Sequence, residues 1–317
     1  MILVTGGLGF LGGRICEELV NSGEEVRIGT SRKKENIQVP DELINCDVVE
    51  INLLEPDSLK LACDGIESII HLAALNAKES NVNPKQALLI NGLGTLNLLN
   101  AAIACSVKKF LYFSTIHVYS SLSDSFTSMN ESSFTSPSHH YSITHKLAED
   151  YVLQANKNIS VSIFRLSNVI GSPLNKDVNC WMLAAHDLSK QVAVNGYMQL
   201  NSNKEVTRDF IGLQNLCKIV CKNIKNSENF IQIQNEIINI SSGVAISLDD
   251  LTKIIAIESE KIFNFKPKIK YNNPSEKKTE SIVISNQKAK SLGFDLKSDL
   301  HNEINLLLVD CKRWFIS

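Results

Sequence analysis

Residues 1–13 read MILVTGGLGFLGG, a short apolar run that leads directly into three glycines spaced three residues apart. Gly6 permits a tight turn, Gly9 lets the backbone approach a ligand closely, and Gly12 lets the following helix pack against the strand. The start of such a helix carries unpaired amide groups and the positive end of the helix dipole. The stretch therefore predicts a site for the pyrophosphate of a dinucleotide.

Short aliphatic runs alternate with helical segments through the first half of the chain, which is typical of a parallel sheet covered by helices on both faces. The predicted strands are residues 2–5, 25–30, 47–51, 68–71, 110–114 and 160–165. We expect an α/β fold with a doubly wound parallel (Rossmann) sheet and a smaller C-terminal α/β domain that binds substrate. The predicted Rossmann domain is 1–167, with 207–245 returning to it, and the second domain is 168–206 with 246–317. A further strand is predicted at 236–240, and a helix after it that Ser247 caps.

The composition is that of a folded protein without a basic surface, since 44 % of the 317 residues are hydrophobic and the net charge is −2. No uninterrupted apolar run approaches the roughly 20 residues of a membrane span, and no secretory leader precedes the first strand. We expect a soluble cytoplasmic protein that binds neither nucleic acid nor membrane. The eight cysteines form no CxxC pair, and Cys217 and Cys221, without nearby histidines, indicate buried thiols and no metal site.

The residues at the end of the second predicted strand indicate which dinucleotide, NAD or NADP, is bound. A carboxylate at this point would bind the ribose diol of NAD and repel the 2′-phosphate of NADP. The sequence instead has Thr30, Ser31 and Arg32, which can donate hydrogen bonds to a phosphate or pair with it. We therefore expect NADP to be preferred to NAD, the alternative being that Arg32 is one cation in a solvated run.

Seven motifs occur in the order and at the spacings of one enzyme group: TGGLGFLG, HLAA, Asn91 with Gly94-Thr95, FSTIHVY, YSITHKLAED, FRLSNVIG and TRDFI. The chain resembles the extended short-chain dehydrogenase/reductase superfamily, and within it the nucleotide-sugar epimerases, dehydratases and reductases. The resemblance covers residues 1 to 213. It implies that the nicotinamide cofactor is bound by a set of glycine-turn, strand-end and helix residues: Gly6, Gly9, Phe10, Leu11, Gly12, Ser31, Arg32, Asn52, Leu53, Leu72, Ala73, Ala74, Asn91, Tyr141 and His145.

The resemblance also implies that Thr115 and Tyr141 are catalytic. Hydride transfer at a carbinol carbon requires a proton to move on its oxygen, which a phenol can supply or accept if its pKa falls from about 10. The usual pattern is YxxxK, but here Tyr141 is followed four residues later by His145, with Lys146 one place further. We interpret this as a YxxxH variant with His145 catalytic, because the alternative register puts Ser142 in the place of the tyrosine. Lys146, about 100° further around the helix, would then face away.

The resemblance implies four substrate-binding residues, His117, Asn168, Asn179 and Arg208, the last as a partner of the nucleotide diphosphate or, alternatively, of an acid such as Asp209. Ile116 and His117 replace the acid pair that a 4,6-dehydratase uses, and Asn179 replaces a histidine of 3,5-epimerases, so both activities are disfavoured. Arg165 is expected to form a structural ion pair. A second cationic clamp is not identified, although Lys277 or Lys278 could serve.

Three hypotheses about function follow. The leading one is an NADP-preferring oxidoreductase that reduces a 4-keto sugar bound to a nucleoside diphosphate. The second is a C4 epimerase or an alcohol dehydrogenase of the same fold, and the third is a non-enzymatic NADP-binding regulator. A homodimer is expected, because this group pairs the helices around 88–104 and 141–155 between subunits.

Overall fold

The computed structural model describes residues 1–119, 128–225, 234–272 and 283–316. The strands in these segments are β1 (Ile2–Thr5), β2 (Val26–Thr30), β3 (Asp47–Glu50), β4 (Ser68–His71), β5 (Lys109–Thr115), β6 (Ser128–Met129), β7 (Ser160–Leu166), β8 (Asn168–Ile170), β9 (Tyr197–Leu200), β10 (Thr207–Gly212), β11 (Glu236–Ile240), β12 (Ala245–Ser247), β13 (Lys268–Tyr271) and β14 (Val283–Ile284). The α-helices are α1 (Phe10–Asn21), α2 (Pro56–Cys63), α3 (Ala77–Val82), α4 (Pro84–Ala87), α5 (Gly94–Ala104), α6 (His140–Gln154), α7 (Ala184–Asn195), α8 (Leu213–Lys225), α9 (Leu248–Phe263), α10 (Gln287–Ser291) and α11 (Leu300–Phe315).

The chain divides into two compact units. The first consists of Met1–Ser121, Glu131–Leu166 and Cys217–Asn239, and the second of Leu122–Asn130, Ser167–Leu216 and Ile240–Ser317. The return to the first unit was predicted at 207–245, whereas β10 pairs with β8 and β12 in the second unit. The returning segment therefore starts within α8.

The first unit is built on a seven-stranded sheet of order β11-β7-β5-β4-β1-β2-β3. The pairs from β7 through β3 are all parallel, with Ile2 opposite Val26 on one side and Ser68 on the other. This is the doubly wound Rossmann sheet that the sequence predicts, and the predicted strands match within two residues at each end. The order of the strands reverses at β1, with β2 and β3 on one side and β4, β5 and β7 on the other, so the ends of β1 and β4 border the crevice in which such folds bind ligands.

The helices of the first unit bury apolar side chains against this sheet. Leu98, Leu99 and Ala102 of α5 lie in one core with Leu59 of α2 and Val152 of α6. A π-helical turn, Leu88–Leu93, joins α4 to α5, so Pro84–Ala104 forms one long helical stretch. This stretch is apolar and long enough to cross a membrane, which the sequence analysis did not recognise, but its buried face packs within the protein core.

The second unit contains three small sheets, with strand orders β12-β10-β8, β13-β9 and β14-β6. Helices α7, α9 and α11 pack on one another around a core that includes Leu188, Leu251 and Leu308. Ser247 caps α9 as predicted, since its hydroxyl oxygen accepts a hydrogen bond from the Asp250 backbone amide at 3.0 Å. Strand β13 follows α9, and Lys277 and Lys278 lie outside the described residues.

Candidate active site

The glycine turn between β1 and α1 has the geometry of a phosphate site. Gly6 has φ +68°, a backbone conformation that favours glycine, and a Cβ on Gly12 would lie 2.2 Å from the Gly6 carbonyl oxygen. Gly9 caps α1 without a side-chain hydrogen bond, and the first turn, which begins with Phe10 and Leu11, holds no acidic residue. An anion at this helix end would therefore meet no competing carboxylate in the first turn.

The loop after β4 packs against this turn. A Cβ on Gly6 would lie 3.2 Å from the Ala73 amide nitrogen, a tight contact, so a larger residue would push the two loops apart. The Thr5 hydroxyl oxygen accepts hydrogen bonds from the amides of Leu72 and Ala73 at 3.2 and 3.3 Å, which fixes the loop; Ala74 beyond it is exposed. The predicted cofactor residues of β1 and β4 are thus brought together.

The residues predicted to select the dinucleotide follow β2. Ser31 is exposed, and Arg32, whose backbone amide donates to the Thr30 hydroxyl oxygen, has no ion pair within the described residues. Among the residues that the structure describes, the guanidinium is therefore not committed to a carboxylate. The sequence analysis missed Glu50, which lies opposite Thr30 where β3 ends. Glu50 thus places a carboxylate on the strand next to β2, at the same level as Thr30.

Two further predicted cofactor residues, Asn52 and Leu53, follow β3. The Asn52 side-chain oxygen accepts from the Leu54 amide at 3.0 Å, and its side chain is exposed. Leu53 is buried, and its carbonyl oxygen accepts from Asn97 of α5 at 3.0 Å. The pair therefore forms a well-fixed turn, and its contact with a cofactor stays a prediction.

Thr115 and Tyr141 meet where β5 ends and α6 begins. Thr115 is the last residue of β5, and its hydroxyl lies within hydrogen-bond reach of the half-buried Tyr141 phenol. Burial raises the pKa of Tyr141 to about 12, although the hydrogen bond with Thr115 lowers it in part. The phenol is therefore protonated at neutral pH.

His145 lies one helical turn after Tyr141, and its ring packs edge-on against the phenol with 4.4 Å between centroids. Its Nδ1 lies 2.7 Å from the Tyr112 hydroxyl, and its buried Nε2 has no hydrogen-bond partner among the described residues. Burial, with smaller contributions from the neighbouring His117 and His139, lowers the pKa of His145 to about 3, so the ring is neutral.

Lys146 and Ser142, the two residues of the alternative register, form other contacts. Lys146 forms an ion pair with Asp150 on the same helix. Ser142, the tyrosine position of the alternative register, is buried, and its hydroxyl donates to the His139 carbonyl oxygen at 2.9 Å in the cap of α6. Neither residue is placed beside the Tyr141 phenol as His145 is.

A buried ion pair between Glu149 and Arg165 fixes α6 on the sheet. Glu149 accepts hydrogen bonds from Arg165 Nε at 2.9 Å and Nη2 at 2.7 Å, and from the Ser114 hydroxyl at 2.6 Å. Both charged side chains are almost fully buried. The expected structural ion pair of Arg165 is confirmed, and it holds the helix of Tyr141 against the strand that ends in Thr115.

Asn91 forms hydrogen bonds both to α6 and to the loop after β4. Its amide donates to the Thr144 hydroxyl oxygen at 3.1 Å and to the Leu75 carbonyl, while its side-chain oxygen accepts from the Leu75 amide at 2.7 Å. The π-helical turn therefore presents Asn91 to the loop after β4 and to α6. Its predicted contact with the cofactor stays a prediction.

The predicted substrate residues lie in different parts of the chain. His117 is exposed, and its ring lies 5.6 Å from that of His139 near the start of α6. In the second unit, Asn168 donates to the Asp209 carbonyl oxygen at 3.0 Å, and Asn179 is exposed.

Arg208 is also exposed. It donates to the Thr207 carbonyl oxygen, and it has no ion pair within the described segments. The Asp209 carboxylate instead accepts from the amides of Ser242 and Gly243 at 2.9 and 2.8 Å.

The first unit therefore contains residues that fit a nicotinamide dinucleotide. The glycine turn leaves room that a Cβ would fill, and the orphaned His145 Nε2 provides a buried polar atom that a hydroxyl group could satisfy. Within the described residues no group of three or more His, Cys, Asp or Glu side chains could hold a metal ion.

Known proteins share this architecture. The chain is 28 % identical to a Methanocaldococcus jannaschii protein provisionally named a UDP-glucose 4-epimerase, over 96 % of this chain and 97 % of that one. It is 29 % identical to GDP-6-deoxy-D-talose 4-dehydrogenase of Aggregatibacter actinomycetemcomitans, over 80 % and 78 % of the two chains. The solved UDP-glucose 4-epimerase of Thermotoga maritima, containing UDP-glucose, has the same fold, with a TM-score of 0.80, 22 % identity and 97 % coverage of both chains.

Other solved proteins of this fold contain NAD or NADPH. The sequence model of the NAD dependent epimerase/dehydratase family matches residues 2–241, which include the glycine turn and the Tyr141 helix. This chain therefore belongs to the NAD dependent epimerase/dehydratase family.

Proposed function

We propose that this enzyme uses a reduced nicotinamide cofactor to convert a 4-keto sugar, bound to a nucleoside diphosphate, into the corresponding alcohol. Nucleotide-sugar substrates are supported by the relatives, whose names or bound ligands include UDP-glucose and GDP-6-deoxy-D-talose. A nicotinamide cofactor is supported by the fit of the glycine turn and by the NAD and NADPH in proteins of the same fold.

The observation that carries the reductive direction is the neutral histidine beside the Tyr141 phenol. The pKa of Tyr141 is raised to about 12, so only about one phenol in 10⁵ is ionised at pH 7. A base that must remove a proton from an alcohol is scarce in this state. A proton donor to a ketone oxygen is fully populated, so the phenol is in the form that ketone reduction requires.

Each residue of the proposed site has a separate role in the reaction. When bound, the reduced cofactor supplies a hydride to the carbonyl carbon of the sugar. Tyr141 transfers its hydroxyl proton to the carbonyl oxygen, and Thr115 donates a hydrogen bond to that oxygen as negative charge develops on it. His145 orients the cofactor through Nε2. The Glu149–Arg165 ion pair keeps α6, and with it Tyr141, in register with Thr115.

A second candidate is C4 epimerisation, which is favoured by the 28 % identity to the provisionally named epimerase over nearly the whole chain. An epimerase oxidises and then reduces the same carbon, so Tyr141 would have to act first as a base. That first step requires the ionised phenol, which is the minor form at neutral pH.

The cofactor preference proposed is NADP over NAD. The uncommitted guanidinium of Arg32 and the hydroxyl of Ser31 support it, because both can interact with a 2′-phosphate. The enzyme is therefore expected to accept both cofactors, with NADPH the better one.

Arg208 is proposed to pair with the diphosphate of the substrate. This role is supported by its exposure and by the lack of an ion pair within the described residues. His117, Asn168 and Asn179 are proposed to contact the rest of the nucleotide sugar.

The protein is proposed to be a cytoplasmic homodimer paired through the helical stretch 84–104 and α6. Exposed apolar side chains on these helices support that pairing, since Leu88, Leu93 and Ile143 are 51, 42 and 46 % exposed. Sedimentation of the purified protein tests the dimer, and a monomer at all concentrations would exclude it.

The function is tested by incubating the purified protein with NADPH or NADH and a panel of GDP-, UDP-, CDP- and dTDP-4-keto sugars. Stoichiometric oxidation of the cofactor with one of them supports the reductase. Isomerisation of the matching 4-hydroxy sugar without net oxidation supports the epimerase instead, and cofactor binding without turnover supports a regulator.

A further inference from the structure

We propose that Tyr112 is a positioning residue that fixes the tautomer of His145, so that Nε2 carries the ring proton and acts only as a hydrogen-bond donor. The inference rests on the proposed function in one respect, the role of His145 toward the cofactor. In the usual pattern of this enzyme group that position holds a lysine, whose ammonium group can only donate. Tyr112 gives the neutral imidazole the same donor character without a charge.

The strand and the helix bring Tyr112 and His145 together through matched spacings. Tyr112 and Ser114 are two apart on β5, so their side chains lie on one face of the sheet. His145 and Glu149 are four apart on α6 and share a face of the helix. Two hydrogen bonds connect these faces, Tyr112 to His145 at 2.7 Å and Ser114 to Glu149 at 2.6 Å.

The direction of the Tyr112 hydrogen bond follows from its surroundings. The phenol is buried, and the only polar atom that its hydroxyl contacts within the described residues is His145 Nδ1. If Nδ1 carried a proton and donated, the phenol hydrogen would be buried without an acceptor, at a cost of about 1–3 kcal/mol. Burial also raises the pKa of Tyr112 well above its ordinary value, so the phenol keeps its proton. Tyr112 therefore donates and Nδ1 accepts.

The position of the remaining ring proton then follows. A neutral imidazole carries one proton, and with Nδ1 as the acceptor that proton resides on Nε2. Nε2 is the buried atom that has no partner among the described residues. Its ligand must supply an acceptor, and a ribose hydroxyl oxygen of the cofactor has that chemistry.

The experiment begins with long-range ¹H–¹⁵N spectra of the histidine-labelled full chain, with and without NADPH, in which His145→Gln identifies the His145 signals. His71 serves as an internal reference, because the Thr95 hydroxyl donates to the Asn91 carbonyl and so must accept from His71 Nε2. The expected spectrum shows His145 with a protonated Nε2 and a hydrogen-bonded Nδ1. A protonated Nδ1 would overturn the proposal, and apart from His145→Gln, which serves only for the assignment, the spectrum is recorded on the unaltered chain.

Two variants that each remove one tyrosine hydroxyl distinguish a positioning role of Tyr112 from a packing role. Tyr112→Phe is expected to move the His145 Nδ1 resonance to that of a free acceptor. The control Tyr119→Phe also removes a buried hydroxyl, one that donates to Asn239 at 2.6 Å, and is expected to leave the His145 signals unchanged. No movement in Tyr112→Phe, or equal movement in both variants, contradicts the assignment.

Cofactor affinity supplies the functional readout. Tyr112→Phe is expected to weaken NADPH binding about three- to tenfold, the range for one hydrogen bond, but to have no further effect in a His145→Gln background. An equal loss in both backgrounds would mean that Tyr112 acts through packing alone. Because the spectra and the titration require no sugar substrate, they stand even if none of the nucleotide sugars is turned over, an outcome that would overturn only the proposed function.

Discussion

Replacing His145 by lysine tests how the ionisation of Tyr141 controls its action as an acid or a base. The imidazole is neutral, with a pKa lowered to about 3, and therefore gives the phenol no electrostatic help. A lysine retains a positive charge well above neutral pH unless burial lowers its pKa. We expect His145→Lys to stabilise the phenolate and so to lower the pKa of Tyr141.

The separation in the structure sets the size of the effect. The two ring centroids are 4.4 Å apart, and a unit charge at that distance, with an effective dielectric constant of about 20, stabilises the phenolate by about 4 kcal/mol. That energy corresponds to a fall of nearly 3 units in the pKa of Tyr141, from about 12 to about 9. Desolvation of the lysine would reduce the shift, which makes this value an upper bound.

The assay is the pH dependence of alcohol oxidation by the oxidised cofactor, with His145→Gln as a neutral control. Oxidation needs the ionised phenol, so its rate rises with pH up to the pKa of Tyr141. In His145→Lys the rise should occur about 2 to 3 pH units lower, whereas ketone reduction at pH 7 should change little. An oxidation profile that does not move, or that moves equally in His145→Gln, would refute this account of the phenol.

Four other changes have defined expectations. Tyr141→Phe should lower the rate of reduction by about 10²–10⁴-fold with little loss of stability, whereas full activity would exclude Tyr141 as the proton donor. Arg32→Ala should weaken NADPH binding by about 1.5–3 kcal/mol and leave NADH almost unchanged in a titration of both; equal losses would place Arg32 on the surface only. Arg208→Leu should raise the KM for the nucleotide sugar at constant cofactor affinity, and a variant that merely unfolds would contradict the diphosphate role. Glu149→Gln should lower the free energy of unfolding in urea by about 3–5 kcal/mol, because it leaves a buried guanidinium unpaired; a loss below about 1 kcal/mol would mean that the ion pair is not needed.

The sheet and the glycine turn could be predicted because they depend on local sequence. Continuous aliphatic runs fix the strands, and the tight contact between Gly6 and Gly12 allows only glycine. The placement of Tyr141 and His145 on one helical face, with Lys146 turned toward Asp150, also follows from helical spacing. Family resemblance supplied the catalytic assignments, which stay predictions.

The features that sequence reasoning missed depend on the register between elements that are distant in the chain. Tyr112 meets His145 only because β5 and α6 pack at one particular offset, and sequence spacing within either element does not show that offset. The π-helical turn that aims Asn91 at Thr144 has no sequence signal of its own. Glu50 was missed because it lies opposite Thr30 through strand pairing, twenty residues further along the chain.

The central claim is net reduction, and transfer of an isotopic label from the cofactor tests it most directly. The full chain is incubated with a nucleotide-linked 4-keto sugar and NADPH that carries deuterium at the transferable position, and the sugar is analysed by mass spectrometry. The account predicts one deuterium at carbon 4 of the sugar for each cofactor oxidised, with Tyr141→Phe slowed throughout. Two results together would contradict it: 4-hydroxy epimers that interconvert without consumption of cofactor, and no deuterium transferred from the cofactor to the 4-keto sugar.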